Sequence, residues 1–540
     1  WETAMFETKI RGDYLLLPIG GGESPIETVT IEIADKQKLA IDVPLALGAT
    51  TNLLPVYDLR DHQGETLRVR YHETRRNTKT QLLQVTNIPP QEVSDTLPAF
   101  HVHSRFGKLN DPNGLVYLDG QYHLFHQYYM GMRGKLWAHY TSPDLMHWQE
   151  QPVALFPDAS GSMHSGSAAV DWLNASGFQQ GDTPALIAAF TGSRGLGGKD
   201  KIQVQGIAYS TDGGRSFSKY EGNPVIGEAH LKTLKSRDSR DPRIFWFSPT
   251  RGLDPKAKDG HWVMVLFEDR GLSFFTSGDL KAWEERGRVP GFFECPDLFP
   301  LAVDGNPRNV RWVIHGGNGE YHIGAFDGQS FQPETQNKIK FNHGGRYYAA
   351  QTFNNTAGEP PRRIQVGWQG NQLSLPSELT LRNTPLGLRL CALPVREIAN
   401  LYQGGGSFDG RELREGDTNL LKEFRSGLYD IEFDGRVDGA KQVEFTVRGK
   451  VIRYDVRERK LACDQYAIKL PGSDDRLKLR IVVDNCSIDI FAGDGGLFYL
   501  PLYFDPLKSK ELELRVVGGS VKLEGLSVHE LKSIWGRKKP

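Results

Sequence analysis

Cysteine is scarce in this 540-residue chain: only Cys295, Cys391, Cys463 and Cys486 occur. Four so widely scattered residues are too few for a disulfide framework or a zinc site. Long apolar runs are absent as well. Ala185–Phe190 and Trp262–Phe267 are six residues each, far short of the roughly 20 that a membrane-spanning helix needs. Charge of one sign is lacking: 65 Lys and Arg stand against 66 Asp and Glu, a net of −1. That balance argues against a nucleic-acid partner, which usually requires a basic surface. No segment carries a long amphipathic helical period.

Turn formers and rings are plentiful: 59 Gly, 30 Pro, 27 Phe, 19 Tyr and 10 Trp. Many turns with many aromatics point to an all-β protein. The length suggests about three domains. With 39% hydrophobic and 24% charged residues, a large core is possible and wholesale disorder is not. The sequence opens on Trp1 rather than Met, as after removal of a signal peptide or trimming of the chain.

Three regions are expected. Residues 1–98 read as short strands, among them Asp13–Ile19, Glu27–Ile33 and Thr66–His72, forming a small β-sandwich-like domain that ends at a Pro89-Pro90 linker. Residues 99–402 contain a repeat. Asp111-Pro-Asn-Gly, Ser165-Gly-Ser, Asp241-Pro-Arg, Glu294-Cys-Pro and Tyr348-Ala-Ala each open a strand, at spacings of 54, 76, 53 and 54. Between them fall Asp144…Trp148, Asp212…Phe217, Asp279…Trp283 and Asp327…Phe331, where an Asp opens a turn and a ring follows. Two interleaved motif families of this length predict a five-bladed β-propeller. Gln403–Ser407 reads as a flexible break. Residues 405–540, with strands near Leu477–Val483, Ser487–Phe491, Leu497–Phe504 and Glu511–Val517, predict a C-terminal β-sandwich domain.

The first strand of each propeller blade lines the central axis, so the repeat starts converge at one mouth. Three of them carry a carboxylate: Asp111, Asp241 and Glu294. Gathered acids repel, which favours one protonated and one ionised group, the requirement for glycoside hydrolysis. Asn110 is placed to donate to a sugar hydroxyl, and Arg240 to hold a carboxylate or a substrate oxygen. Phe292 and Phe293 are expected to desolvate Glu294 and raise its pKa. Trp137 is either an aromatic wall for a sugar or ordinary packing. Cys295 reads as a small filler beside the acid, and His101, His103, His123 and His126 as packing or surface groups on strands.

Asn110-Asp-Pro-Asn-Gly114, Arg240-Asp-Pro242 and Glu294-Cys-Pro-Asp297 resemble, in order and spacing, the three motifs of glycoside hydrolase family 32, the invertases, levanases, inulinases and related β-fructosidases. Tyr122–Gln127, Ser165-Gly-Ser167, Ala208–Pro224, Tyr348–Phe353 and Pro376–Leu381 agree. The resemblance runs from about residue 100 to the C-terminus; the first 98 residues look like an extra β-domain of some bacterial members. It implies a propeller followed by a sandwich, and neither a metal nor an organic cofactor. It also implies that Asp111 is the nucleophile, that Glu294 is the general acid and then the base, and that Asp241 stabilises the transition state. Asn110, Gln127, Trp137, Ser165 and Arg240 match positions that hold the terminal fructose. Retention is implied, with the Asp111 and Glu294 carboxyls about 5–5.5 Å apart.

The pattern departs from the family at the pocket rim. Phe106-Gly-Lys108-Leu replaces a segment that usually holds Trp, His164 stands where an aromatic is usual, the 127–137 stretch is short, and Arg346 falls in a segment that usually carries acids. His164 either contacts substrate or packs. The substrate expected is a fructan (levan or inulin) or sucrose, met by a secreted or periplasmic monomer; β-2,6 against β-2,1 linkage and exo against endo action stay open. Alternatives are an inverting arabinofuranosidase-like enzyme, a fructosyltransferase and a non-catalytic carbohydrate-binding propeller. Asn174-Ala-Ser and Asn354-Asn-Thr fit a glycosylation pattern relevant only in a eukaryotic secretory host.

Overall fold

A computed structural model describes residues 2–20, 26–46, 52–73, 83–89, 91, 93–129, 134–195, 200–358, 360–437, 439–472 and 475–536. Among these, helix is limited to short pieces such as Glu228–Leu231 and the 3-10 segments Arg60–His62 and Arg396–Leu401. The rest is strand and turn, as the lack of helical periodicity requires.

The N-terminal strands form two sheets. One orders Glu2–Lys9, Thr66–Glu73, Ile26–Ile33 and Lys36–Pro44; the other orders Leu53–Asp58, Tyr14–Pro18 and Gln84–Thr86. Alternation explains the first: Val29, Ile31 and Ile33 face inward while Thr28, Thr30 and Glu32 face the other way. The same core takes in Tyr128, Leu136, Ala138, Val153 and Phe156, so this unit packs on the strands that follow. Arg105 ties the junction by donating to the Pro89 carbonyl at 2.6 Å; Pro90 lies outside the described residues.

Five antiparallel sheets follow in series. Their first strands are Lys108–Leu118, Ser162–Asp171, Ser239–Phe247, Asp297–Ala302 and Tyr347–Thr352, which begin at or beside the five repeat starts. The first of these strands packs on the second, the second on the third, the fourth on the fifth and the fifth back against the first, while Arg243 of the third pairs with Asp297 of the fourth, which closes the propeller. The interleaved Asp residues do what their chemistry allows. Asp144, Asp212, Asp279 and Asp327 each accept backbone N–H groups two to four residues ahead.

The C-terminal region is a sandwich of a seven-stranded and a five-stranded sheet. Gln403–Ser407 is not a flexible break. Tyr402–Ser407 is an edge strand paired with Ser527–Leu531. The ladder pairs the glycines with Val528–Glu530 along one side, and Tyr402 stacks on His529 at 4.0 Å, which anchors the run. The sandwich shares a core with the propeller through Val482, Phe491, Tyr499, Leu531 and Trp535.

Candidate active site

Four of the five inner strands break their register near their first residues: between Leu109 and Pro112, His164 and Gly166, Arg240 and Arg243, and Tyr348 and Gln351. A regular strand sends successive side chains to opposite faces, whereas a bulge re-aims them. This lets the neighbours Asn110 and Asp111, and likewise Arg240 and Asp241, serve one mouth. Asp241 has φ +64°, and Glu294 and Cys295 lie in the loop before Asp297–Ala302 with φ +23° and +47°. Non-glycine residues rarely hold this conformation, and such strain gathers at functional sites. Asp241 is kept there by its N–H, which donates to Thr191 Oγ1 at 2.9 Å.

The three acids meet around Cys295. Its N–H donates to Asp241 Oδ2 at 3.0 Å, and its sulfur lies 3.5 Å from the same oxygen and 3.7 Å from Asp111 Oδ2. Ser165 Oγ donates to Asp111 Oδ2 at 2.6 Å and itself accepts from the Gln127 amide, so a buried relay orients Asp111. Arg240 reaches Glu294 Oε2 through Nη2 at 2.8 Å and Nε at 3.1 Å, and Asp238 through Nη1 at 2.9 Å. Tyr348 donates its hydroxyl to Glu294 Oε1 at 2.7 Å. Both oxygens of Glu294 are therefore held by donors.

Burial dominates the electrostatics. It raises the Asp111 carboxyl above its usual range; Lys135 and the Ser165 hydrogen bond pull it down, and Glu294 pushes it up. Burial lifts Asp241 to about 6 against the pull of Arg240, with Glu294 and Asp111 adding to the rise. The Cys295 thiol is pushed far up by burial and by the three carboxylates, so it stays protonated. Burial also lowers His164 to about 3, helped by Lys135, Arg240 and Lys201. Its imidazole is neutral at any working pH.

The remaining expectations divide. Asn110 is half-buried beside Asp111, and its Oδ1 is screened from solvent without a hydrogen-bond partner. Trp137 is not a sugar wall. It is fully buried beside Phe125, Leu155 and Met163, and its indole N–H donates to the His164 carbonyl at 2.9 Å. It sits on a strand position that points into the blade, so it supports the site from behind. Phe292 enters the core, while Phe293 is exposed. Arg346 places its guanidinium 5.6 Å from the Tyr503 ring of the sandwich. Lys108 is exposed at the start of its strand, and residues 130–133 of the short 127–137 stretch lie outside the described residues. His101 is not on a strand and is no surface group; it is buried between Asp484 and Asp489. Cys295 is more than filler, since both its groups face the acids.

Tyr348, Thr191 and Asp238 are site residues that the sequence reasoning did not assign. Tyr348 had a signal, because it opens the fifth repeat as the acids open theirs. Thr191 and Asp238 carry no local mark.

The chain matches the family model described as glycosyl hydrolases family 32 N-terminal domain over residues 101–382 and the family 32 C-terminal model over residues 397–530. It is 34% identical over 501 residues to a levanase of Bacillus subtilis (strain 168), covering 82% of this chain and 71% of the relative. It is 31% identical over 501 residues to a levanase of Bacillus sp. (strain L7), covering 81% of this chain but only 52% of that relative. The crystal structure of exo-inulinase from Aspergillus awamori superposes with a TM-score of 0.70 at 24% identity, over 82% of this chain and 100% of that one. At that identity the likeness is one of fold. On the strength of two family models that together match residues 101–382 and 397–530, and of a relative 34% identical over 82% of this chain, the chain belongs to glycoside hydrolase family 32.

Proposed function

We propose that this protein is an exo-acting β-fructosidase that removes terminal fructose from a fructan, with retention of configuration. The observation that carries the reading is the meeting of Asp111 and Asp241 on one thiol beside Glu294, inside a pocket rich in donors. In this mechanism Asp111, oriented by Ser165, attacks the anomeric carbon and forms a fructosyl-enzyme. Glu294 protonates the departing oxygen, then takes a proton from the attacking water. Arg240 and Tyr348 fix the plane of its carboxyl. Asp241, ionised above about pH 6, offsets the positive charge developing on the sugar ring. The two reacting carboxyls are expected about 5–5.5 Å apart, the separation for a covalent intermediate. Asn110 and Gln127 bind the terminal sugar, and His164 faces it as a neutral hydrogen-bonding ring.

Both levanase relatives support a fructan as substrate. Such polymers are met outside the cytoplasm, so a secreted or periplasmic enzyme follows from that substrate.

The test is product analysis on levan, inulin, sucrose and arabinan, each alone. Free fructose as the only early product is expected, and the relative rates name the linkage. Short fructo-oligosaccharides would replace exo with endo action, and silence on every fructan would overturn the reading. Asp111→Asn should abolish turnover in a folded protein.

A further inference from the structure

We propose that Phe293 forms the wall of the site that receives the leaving group. The sugar whose oxygen Glu294 protonates lays its C–H face on the Phe293 ring. This rests on the fructosidase reading above and adds a specificity residue to it.

The ring is conspicuous by its exposure. Among the described residues the large exposed hydrophobic side chains are nearly all aliphatic; Phe293, 46% exposed, is the single aromatic. Its neighbour Phe292 is buried, so the chain turns one ring into the core and presents the next to solvent. An exposed Phe gains nothing by facing water, and an amphipathic ligand with an apolar face would cover it.

Its position relative to the acids is defined. The Arg240 guanidinium lies 4.6 Å from the Phe267 ring and 5.6 Å from the Phe293 ring, and the same guanidinium holds Glu294 Oε2 at 2.8 Å. Phe293 also packs edge-on against Phe267, with centroids 5.2 Å apart at 71°. Exposure rises stepwise outward: 5% for Asp241, 24% for the Glu294 side chain and 46% for Phe293. The Glu294 carboxyl and the more exposed Phe293 ring thus share one guanidinium, and in this proposal the leaving group lies against both.

The backbone cannot drift. Gly317 N–H is shared between the Phe293 carbonyl at 3.1 Å and the Glu294 carbonyl at 2.7 Å. A Cβ on Gly316 would fall 2.7 Å from the Phe293 carbonyl oxygen, so only glycine permits this approach. Ring and carboxyl are held in one rigid turn.

The test compares a sugar leaving group with methanol: kcat and KM for a fructo-oligosaccharide and for methyl β-fructofuranoside, in the wild type, Phe293→Leu and Phe293→Trp. A stacked ring is worth about three- to tenfold in binding. Phe293→Leu should therefore raise KM for the oligosaccharide by that factor. It should leave kcat and the pH profile unchanged and the methyl fructoside within about twofold, and Phe293→Trp should restore the oligosaccharide. Equal losses on both substrates, with a shifted pH profile, would mean that Phe293 acts only through Arg240, and would overturn the proposal. So would an unchanged KM. A wild type that releases fructose from neither compound would overturn the fructosidase reading itself, a separate result.

Discussion

Arg243 Nε lies 2.8 Å from Asp297 Oδ1 in the interior of the propeller, with the two side chains 1% and 0% exposed. Arg243 follows Asp241 by two residues, and Asp297 follows Glu294 by three. Thr352 joins them: its N–H donates to Asp297 Oδ2 at 2.6 Å, and its carbonyl accepts from Arg243 Nη1 at 3.1 Å. The third, fourth and fifth inner strands are thereby tied at one level. Asn354 adds the second, donating to the Ala168 and Ile244 carbonyls at 2.7 and 2.8 Å.

Breaking this pair should be costly. Arg243→Met or Asp297→Leu alone leaves a buried charge unpaired, at about 3–5 kcal/mol, whereas the double replacement should be much less destabilised. Denaturant unfolding of the four proteins checks this. Additive losses would show that the pair is not coupled.

Glu294→Gln keeps the hydrogen-bonding shape but has no proton to give. Substrates with poor leaving groups, such as fructans, should lose at least about 100-fold in kcat, and activated aryl fructosides far less in the first step. Parallel kinetics on both classes test it; equal losses would remove Glu294 as the acid.

Asp241 should limit stability. Its folded pKa of about 6 exceeds the ordinary 3.8, so the folded protein binds this proton more tightly than the unfolded chain does. The group's effect is neutral below about pH 4, turns destabilising as pH rises to 6, and is constant above, on the order of 2–3 kcal/mol. Asp241→Asn keeps an acceptor for the Cys295 N–H and tolerates positive φ. It should unfold at a higher temperature than the wild type at pH 7.5 and with no gain at pH 3.5, while losing activity. Thermal unfolding at the two pH values decides it.

His101 should act in the opposite direction. Burial lowers its pKa, but Asp484, with Nδ1 2.7 Å from Oδ2, and Asp489, 3.3 Å from Nε2, outweigh that and raise it to about 9. A raised histidine pKa stabilises fully below the unfolded value of about 6.5, and the contribution is lost as pH climbs through 9. Asp484 also accepts the N–H groups of Ala99 and Phe100, so this centre joins the start of the propeller to the sandwich. The wild type should lose stability between pH 6.5 and 9.5, and His101→Gln should be weaker at pH 6 and show a flatter slope. Matching slopes would exclude the imidazolium.

Much of this architecture is legible locally. Period-2 alternation as in Thr28–Ile33, Asp-led turns and the recurring strand starts depend on a few adjacent residues, and so they predict strands, turns and a propeller without any long-range knowledge. The three acids are legible because each opens a repeat within a distinctive motif. Gln403–Ser407 misleads because its glycines suit a flexible segment, and only pairing with Ser527–Leu531 makes it a strand. Trp137 misleads because a ring near a sugar pocket has the same sequence signature whether it faces the ligand or the core.

The sequence by itself determined which chemical groups the pocket holds and that five strand starts would bring them to one axis, since residue type and turn chemistry are properties of short segments. Only the tertiary structure decided which atoms meet. The Cys295 sulfur sits between two carboxylates, Tyr348 reaches Glu294 from the fifth repeat, and Arg240 is shared between an acid and two rings. Those contacts join residues that are from 27 to 184 positions apart. They exist because closing the ring of blades and bulging its inner strands set distances that no local spacing encodes.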